Sequence, residues 1–308
     1  MKCERPILIA GPTGGGKSAL AARLAREVGG VVINADSMQV YRDLRVLTAR
    51  PSPEEEAQVP HALYGFVAAS DAYSAGRYAA DAAAALKDAR SRGLRPIIIG
   101  GTGLYFKTLL DGLSPMPAIP DAVRAYWRSA AANAAPGELH AKLRERDPAM
   151  ADRLAAGDTQ RVVRALEVLE ASGTSLLEWQ QVPREPVLDA AETIRLVVSP
   201  ERDKLYRGLD ARFEAMLSAG AIEEVTALAG LNLDGELPVM RALGVRPLLQ
   251  LVRRELARDE AVMRSQAETR QYAKRQLTWL RSNMIAWTWL GEKEIERDSA
   301  NFIAFIDR

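Results

Sequence analysis

The sequence contains very little cysteine and histidine. One Cys, Cys3, and two His occur among its 308 residues, so intrachain disulfides and cysteine-rich zinc sites are excluded. We expect Cys3 to be an inert residue beside the first strand. No stretch approaches the roughly eighteen uninterrupted apolar residues of a spanning helix. Strand-like sequence begins so close to Met1 that no signal peptide is expected. These absences predict a cytoplasmic protein with no membrane partner.

The chain also lacks an overall charge bias. It has 41 Lys and Arg against 40 Asp and Glu, a formal net charge of +1, which gives no global signature of nucleic-acid binding. Charge is less even in residues 261–282, where five basic residues face one acid, Glu268, with Tyr272, Trp279 and Trp287 interleaved or close by. A solvated helix face explains the charges alone, whereas the basic and aromatic mixture suits a polyanion with exposed bases.

A glycine-rich segment near the start of the chain fits the phosphate-loop (P-loop) pattern G-x-x-x-x-G-K-[ST]. It consists of Gly11, Pro12, Thr13, Gly14, Gly15, Gly16, Lys17 and Ser18. An apolar, strand-like run precedes it and a helical pattern follows. Glycines let backbone N–H groups converge on an anion. Lys17 adds a positive charge, and the Ser18 hydroxyl can ligate Mg²⁺. The segment therefore predicts a polyphosphate site; alone it suggests ATP or GTP and does not choose between a kinase, an NTPase and other phosphate chemistry.

Short β-branched runs alternate with helical patterns in the first hundred residues, and another such run occurs later. The runs lie at 31–35, 96–99 and 194–198. This alternation predicts an α/β fold with a parallel sheet. Ligands of such sheets bind at the carboxyl ends of the strands, so we expect residues 36–37 and 100–103 to meet the P-loop there.

Between residues 111 and 194 the pattern becomes helical throughout. Pro115, Pro117 and Pro120 form one boundary, and Pro183 and Pro186 mark the return. We therefore predict an all-helical domain at 115–194, inserted in a core formed by 1–114 and 195–308.

Two strand ends carry candidate catalytic side chains. Asp36 could bind Mg²⁺ directly or through water, act as a general base, or cap the next helix. Gln39, three residues on, can hydrogen-bond a base edge. Thr102 exposes one hydroxyl between glycines that allow close backbone approach, although a tight strand-to-helix turn explains this segment about as well.

The helical segment contains two arginines three residues apart. Arg161 and Arg164 share a helix face. Solvated pairing with Asp158 and Glu167 and contact with an anionic ligand are both open.

Taken together, these segments resemble the tRNA dimethylallyltransferase family, whose members prenylate the adenosine next to the anticodon. The resemblance rests on residues 11–18, 36–42, 48–51, 59–61, 71–74, 100–105, 160–167 and 269–279. It covers nearly the whole chain in the family's order.

The resemblance implies a P-loop NTPase-like parallel sheet flanked by helices, with an inserted all-helical domain that binds tRNA. It also implies a reaction: transfer of a dimethylallyl group from dimethylallyl diphosphate to the exocyclic N6 amine of the adenosine on the 3′ side of the anticodon. The P-loop would then hold the diphosphate leaving group with Mg²⁺, and the anticodon stem-loop of tRNA would be the partner of a monomer.

Matching to the family also implies roles for individual residues. Asp36 would be the general base, Thr102 would orient the reacting amine, and Lys17 would stabilise the leaving diphosphate. Arg241 would bind diphosphate together with residues 11–18, and Ser18 would ligate the metal. The positions that would contact tRNA are Asp36, Ser37, Met38, Gln39, Thr102, Arg124, Gln160, Arg161, Val162, Val163 and Arg164.

The chain departs from the family pattern in three places. Val245 stands where relatives usually carry tyrosine, and Leu47-Thr48-Ala49-Arg50 replaces the usual Gly-Thr-Ala-Lys. The zinc-finger extension of eukaryotic members is absent, so we expect the insertion and the basic helix to hold the tRNA.

Two alternatives remain at the level of sequence. One is an enzyme acting on a small nucleotide, either an adenylate prenyltransferase or a P-loop nucleotide kinase; the insertion and the basic helix argue against it. The other is a non-catalytic RNA-binding protein that keeps the P-loop as scaffold.

Overall fold

The structure is a computed structural model that describes residues 5–296 and 299–306. Cys3, expected beside the first strand, lies outside the described residues. The chain divides into two compact units. The core unit comprises Met1–Leu110 and Val187–Arg308, and the helical unit comprises Asp111–Pro186.

A six-stranded sheet forms the centre of the core unit. Its strands are β1 (Ile7–Ala10), β2 (Gly30–Asn34), β3 (His61–Ala62), β4 (Arg95–Gly100), β5 (Ile194–Val198) and β6 (Thr288–Leu290). They pair in parallel in the order β3-β2-β4-β1-β5-β6. Every residue of β1, β2 and β4 is buried, because a parallel sheet is covered on both faces. The predicted parallel α/β sheet is confirmed.

Helices account for most of the remaining regular structure. They are α1 (Lys17–Val28), α2 (Pro53–Gln58), α3 (Ala75–Ser91), α4 (Gly103–Asp111), α5 (Asp121–Asn133), α6 (Glu138–Arg146), α7 (Pro148–Ala151), α8 (Thr159–Ser172), α9 (Leu176–Gln181), α10 (Arg202–Ser218), α11 (Ala221–Gly230), α12 (Val245–Val252), α13 (Arg258–Asn283), α14 (Glu292–Ile295) and α15 (Ser299–Ile306). Short 3-10 helices span Ala190–Glu192 and Pro238–Arg241. None of the helices in the described ranges is long and apolar enough to cross a membrane.

Apolar side chains pack on both faces of the sheet. Successive residues of a strand point to opposite faces, so Ile7 and Ile9 join Leu24 of α1 in one cluster. Leu8 joins Phe106 of α4 in the other. Alternate residues of β1 thus anchor helices on both sides and fix the direction in which the chain leaves the strand at Ala10.

The register places three chain segments at one edge of the sheet. Ala10 of β1 pairs with Gly100 of β4, and Asn34 of β2 pairs with Ile99. The P-loop, Asp36 and Thr102 therefore all follow strands that end at the same level. Gly100 permits this because a Cβ there would lie only 2.0 Å from the carbonyl oxygen of Ala35.

The helical unit is built around α8. Its inward side chains include Val162 and Leu166, which join Trp127 of α5 and Leu143 of α6 in one buried cluster. The Asp158 side chain accepts a hydrogen bond from the backbone N–H of Arg161 and caps the helix. Gly173 ends α8 with a φ of 68°, which a glycine adopts without strain.

The boundaries between the two units differ from the predicted boundaries at residues 115 and 194. The helical unit begins at Asp111 and ends at Pro186. Residues after Pro186 belong to the core unit because the backbone N–H groups of Val187 and Leu188 both donate to the carbonyl oxygen of Leu109. Leu188 is also buried in the core. The predicted boundaries followed the prolines, whereas the unit ends where the backbone bonds to Leu109 begin.

Replacing Gly100 by Ala is expected to destabilise the core unit by about 1–3 kcal/mol, because the added Cβ would collide with the Ala35 carbonyl. Gly208→Ala is the matched control: open space surrounds Gly208 inside α10, and alanine favours a helix interior by about 0.5–1 kcal/mol. Urea unfolding of both variants and the unmutated protein measures the difference. A Gly100→Ala variant of unchanged stability would contradict the close approach of β2 and β4.

Candidate active site

The P-loop connects β1 to α1 and presents several backbone donors. Gly14 and Gly16 have φ values of 72° and 86°, a conformation that glycine adopts without Cβ strain. Among the described residues, the N–H groups of Gly14, Gly16, Lys17 and Ser18 donate to no backbone or side-chain acceptor. Converging unpaired N–H groups at a helix N-terminus bind anions, so the geometry agrees with the phosphate site predicted from sequence.

Lys17 lies inside this loop. Its Nζ donates to the carbonyl oxygen of Pro12 at 2.7 Å. Desolvation lowers the pKa of Lys17 to about 8; the Asp36 carboxylate opposes this shift and the Arg212 guanidinium adds to it. An anion bound at the loop would restore the charged lysine. Lys17 is therefore placed to respond to negative charge on a bound ligand.

Arg212 of α10 is a basic residue at the loop that the sequence analysis missed. Its Nη2 donates to Thr13 Oγ1 at 2.7 Å. Burial lowers the pKa of Arg212, and the Asp36 carboxylate counteracts that effect. No motif surrounds this arginine in the sequence. The available signal was topological: α10 follows β5, which pairs with β1.

Arg241, predicted to bind diphosphate, occupies a different setting. It ends the 3-10 helix Pro238–Arg241, and its Nη2 lies 2.9 Å from Glu236 Oε2. Its side chain is 47% exposed. In the part of the chain that the structure describes, no hydrogen bond joins Arg241 to the P-loop. The structure gives the loop a contact with Arg212 instead.

Asp36 and Thr102 are brought together as predicted from the strand ends. Thr102 Oγ1 accepts from the backbone N–H of Ser37 at 3.0 Å and donates to Ser37 Oγ at 3.3 Å. Asp36 Oδ1 accepts from the backbone N–H of Met38 at 2.9 Å. The alternative that Asp36 caps the next helix is wrong: α2 begins only at Pro53 and is capped by Ser52. The bond to Met38 closes a local turn and engages one carboxylate oxygen of Asp36. Within the described ranges, Oδ2 makes no hydrogen bond and remains available for another role.

Gln39 and Glu224 hold the neighbouring loop at residues 45–50. The Gln39 amide donates to the carbonyl oxygens of Thr48 and Ala49 at 2.9 and 3.0 Å. The Glu224 carboxylate of α11 accepts from three consecutive backbone N–H groups, those of residues 45–47. Both Gln39 donors are therefore committed to the fold, which leaves its Oε1 for any contact with a base.

One side of α13 packs against the loops of the site. Buried Gln276 hydrogen-bonds to the backbone of Thr13 and of Gly101 at 2.8 and 2.9 Å. Trp279 covers Gly103, where a Cβ would lie 2.1 Å from the indole ring. A side chain at position 103 would collide with the indole ring, which agrees with the close approach expected around Thr102.

The face of α13 that borders Trp279 carries exposed positive charge. An open groove of about 580 Å³ is lined by residues of this helix, including Lys274, Arg275 and Trp279. Arg264 and Arg270 pair with Glu260 and Asp210. Among the residues described, Lys274 and Arg275 have no carboxylate within ion-pairing distance. The groove thus combines unpaired cations with an aromatic ring.

The predicted tRNA-contacting residues of α8 separate into two groups. Gln160 and Arg161 are exposed, whereas Val162 and Val163 are buried. The two valine side chains therefore belong to the core of the helical unit and not to its surface.

The arginines of α8 make the ion pairs that the sequence left open. Arg161 lies 3.1 Å from Asp158, and Arg164 lies 3.3 Å from Glu167. In α5, the Nε atom of Arg124 is buried and has no hydrogen-bond partner among the described residues.

Substituting Arg212 by Met is expected to weaken binding of pyrophosphate with Mg²⁺ by about tenfold or more, because a charged hydrogen-bond donor beside the P-loop is lost. Arg241→Met is the matched comparison and should change the affinity less than about twofold, since its guanidinium forms a half-exposed pair with Glu236. Isothermal titration measures both affinities. If the two variants lose equal affinity, or Arg241→Met loses more, Arg241 binds the diphosphate as the family resemblance implies.

Family models match most of the chain. A model described as IPP transferase matches residues 39–283, and one described as isopentenyl transferase matches residues 5–64. Among curated proteins, the tRNA dimethylallyltransferase of Parvibaculum lavamentivorans is 49% identical over 98% of this chain and 96% of its own length. That of Rhodopseudomonas palustris is 53% identical over 93% and 90%.

Solved structures show the same fold. A eukaryotic dimethylallyltransferase acting on tRNA superposes with a TM-score of 0.81 at 28% identity, over 98% of this chain and 78% of the other. The full-length tRNA isopentenylpyrophosphate transferase of Bacillus halodurans gives a TM-score of 0.69 at 29% identity, over 98% and 96%. The resemblance noted in the sequence is confirmed: this chain belongs to the IPP transferase family of tRNA dimethylallyltransferases.

Proposed function

We propose that this enzyme transfers a dimethylallyl group from dimethylallyl diphosphate to the exocyclic N6 amine of the adenosine 3′-adjacent to the anticodon of tRNA. The product is N6-(dimethylallyl)adenosine. The observation that carries the proposal is the meeting of a carboxylate and hydroxyl, Asp36 and Thr102, with a P-loop at one edge of the sheet. The family membership of the chain supports the same reaction.

The P-loop side of the site suits a departing diphosphate. The amine nitrogen bonds to C1 of the dimethylallyl group as the bond from C1 to the diphosphate oxygen breaks, and negative charge grows on that oxygen. Backbone N–H groups of the loop, Lys17 and Arg212 would stabilise this charge, since all of them lie at the loop. Fixed donors directed at developing charge stabilise the transition state without reorganising.

The strand-end side suits the nucleophile. The amine loses a proton as it forms the new bond, and Asp36 Oδ2 is the carboxylate oxygen that no turn in the described structure engages. Thr102 Oγ1 is held by Ser37, the residue after Asp36, and can orient the amine. The adenine must leave its stack to reach such a site, as bases do in other enzymes that modify them.

The donors at the loop also fit Mg²⁺. The Ser18 hydroxyl at the start of α1 and the Asp36 carboxylate are oxygen ligands, and Mg²⁺ commonly takes one or two protein ligands together with phosphate oxygens and water. Within the described ranges, no cluster of three or more His, Cys, Asp or Glu side chains offers an all-protein metal site. When bound, Mg²⁺ would neutralise charge on the leaving diphosphate.

Recognition of tRNA is supported by two separate sets of residues. In the core unit, Lys274, Arg275 and Trp279 line the α13 groove, and such a mixture binds phosphates and stacks on bases. In the helical unit, Gln160 and Arg161 are exposed on α8. We propose that the reaction takes place in the cytoplasm, the compartment expected from the sequence.

Incubation with labelled dimethylallyl diphosphate, Mg²⁺ and unmodified tRNA, followed by nucleoside analysis, tests the proposed reaction. We expect label in N6-(dimethylallyl)adenosine. Parallel reactions contain AMP in place of tRNA, or γ-labelled ATP in place of the prenyl donor. Prenylated AMP without prenylated tRNA would identify an adenylate prenyltransferase, and label transferred from ATP would identify a kinase. Binding of tRNA with no transfer at all would identify an RNA-binding protein.

Replacing Asp36 by Asn is expected to lower the single-turnover rate by about 10²–10⁴-fold, the usual range for loss of a general base. The amide oxygen can still accept from Met38 N–H, so the turn and the tRNA affinity should persist within about threefold. Asp43→Asn is the control, because the Asp43 carboxylate also accepts from a backbone N–H, that of Ala69, 26 residues away. This variant should keep its turnover. An Asp36→Asn enzyme with unchanged turnover would remove Asp36 from the role of base.

A further inference from the structure

Gln276 occupies an unusual position for a neutral side chain on a long surface helix. It is 6% exposed, and both ends of its amide are bound to the backbone. Oε1 accepts from the N–H of Thr13 at 2.8 Å, and Nε2 donates to the carbonyl oxygen of Gly101 at 2.9 Å. These acceptor and donor roles match the amide in one orientation only, so exchanging its ends would break both bonds.

The two partners of Gln276 belong to different working parts of the site. Thr13 is in the P-loop after β1, and Gly101 precedes Thr102 after β4. In the described part of the chain, no other side chain hydrogen-bonds to both loops. We call this pair of bonds the Gln276 bridge.

A second side chain of α13 reinforces the same contact. Trp279, almost one turn after Gln276, lies against Gly103. A Cβ at Gly101 would lie 2.1 Å from Gln276 Nε2, and a Cβ at Gly103 would lie equally close to the Trp279 ring. The two side chains therefore hold the backbone on both sides of Thr102, whose hydroxyl is left facing Ser37.

We propose that Gln276 is a positioning residue that sets the distance between the leaving-group loop and the acid–base loop during prenyl transfer. This proposal rests on the proposed function. It does not include any contact between Gln276 and substrate. In a displacement, the nucleophile, the reacting carbon and the leaving oxygen must lie in line, and small displacements of one partner lower the rate strongly. The Gln276 bridge therefore acts on the rate of transfer more than on the affinity for either substrate.

A double-mutant cycle tests the bridge. Gln276→Ala removes the amide, whereas Gly101→Ala displaces it by placing a Cβ in its space. Gly101 does not have a positive φ, so alanine fits its backbone. We expect each variant to lower the single-turnover rate by about ten- to a hundredfold. Affinities for tRNA and for pyrophosphate with Mg²⁺ should remain within about threefold. Because both variants remove the same contact, the double variant should be no slower than Gln276→Ala.

Gln266→Ala is the control on the same helix. Gln266 also bridges two elements, donating to the backbone of Asp210 and to Glu214 of α10, but neither bond reaches the two loops. The Gln266→Ala variant should transfer the prenyl group at a rate within about twofold of the unmutated enzyme. Its thermal midpoint should fall as much as that of Gln276→Ala. If Gln266→Ala loses as much rate as Gln276→Ala, the loss in Gln276→Ala reflects lower stability and not positioning of the two loops.

Hydrogen exchange at the Thr13 amide gives a readout that does not depend on activity. Exchange should be faster in Gln276→Ala and Gly101→Ala and unchanged in Gln266→Ala. Faster exchange without a loss of rate, or rate losses that multiply in the double variant, would overturn the positioning role. Absence of prenyl transfer by the unmutated enzyme would instead refute the proposed function, and exchange at Thr13 would still decide whether the bridge exists.

Discussion

The desolvation of two cations beside one carboxylate is the constraint on which the site depends. Lys17 and Arg212 are both drawn out of water at the P-loop, and burial lowers the pKa of each, while Asp36 is the acid that opposes the shift. Two cations and one carboxylate leave an excess of positive charge in a site of low polarity. Such an arrangement is stabilised by a bound anion, and a diphosphate supplies that negative charge. The rest of the core unit serves to hold these groups at one edge of the sheet.

Local patterns in the sequence predicted the parts of this arrangement that depend on neighbouring residues. The apolar runs of β1, β2 and β4 are continuous because both faces of the sheet are covered. The loops that follow these strands converge because parallel strands end together. Arg212 and Gln276 escaped prediction for the opposite reason. They reach Thr13 from positions 199 and 263 residues away, and neither carries a local pattern that a phosphate site requires.

Helical periodicity explains the mixed outcome in α8. Consecutive residues on a helix point in different directions, so a continuous stretch such as 160–164 cannot lie on one surface. Arg161 faces solvent while Val162 and Val163 fill the core of the helical unit. The pairing of Arg161 with Asp158 and of Arg164 with Glu167 followed from a spacing of three residues. What the sequence could not give was which contacts end the unit, because the bonds to Leu109 depend on the fold of the core.

The carboxylate of Glu224 affects where anions can bind on this protein. Three successive N–H groups at residues 45–47 form a concave donor site like those that bind phosphate elsewhere. The chain supplies its own anion there, so that surface is neutralised internally and a substrate phosphate gains nothing by entering it. The P-loop is the donor site to which the described chain offers no carboxylate of its own. Because Glu224 already neutralises the loop at residues 45–47, a substrate phosphate is expected to bind at the P-loop. The internal carboxylate thus discriminates between two similar sets of backbone donors.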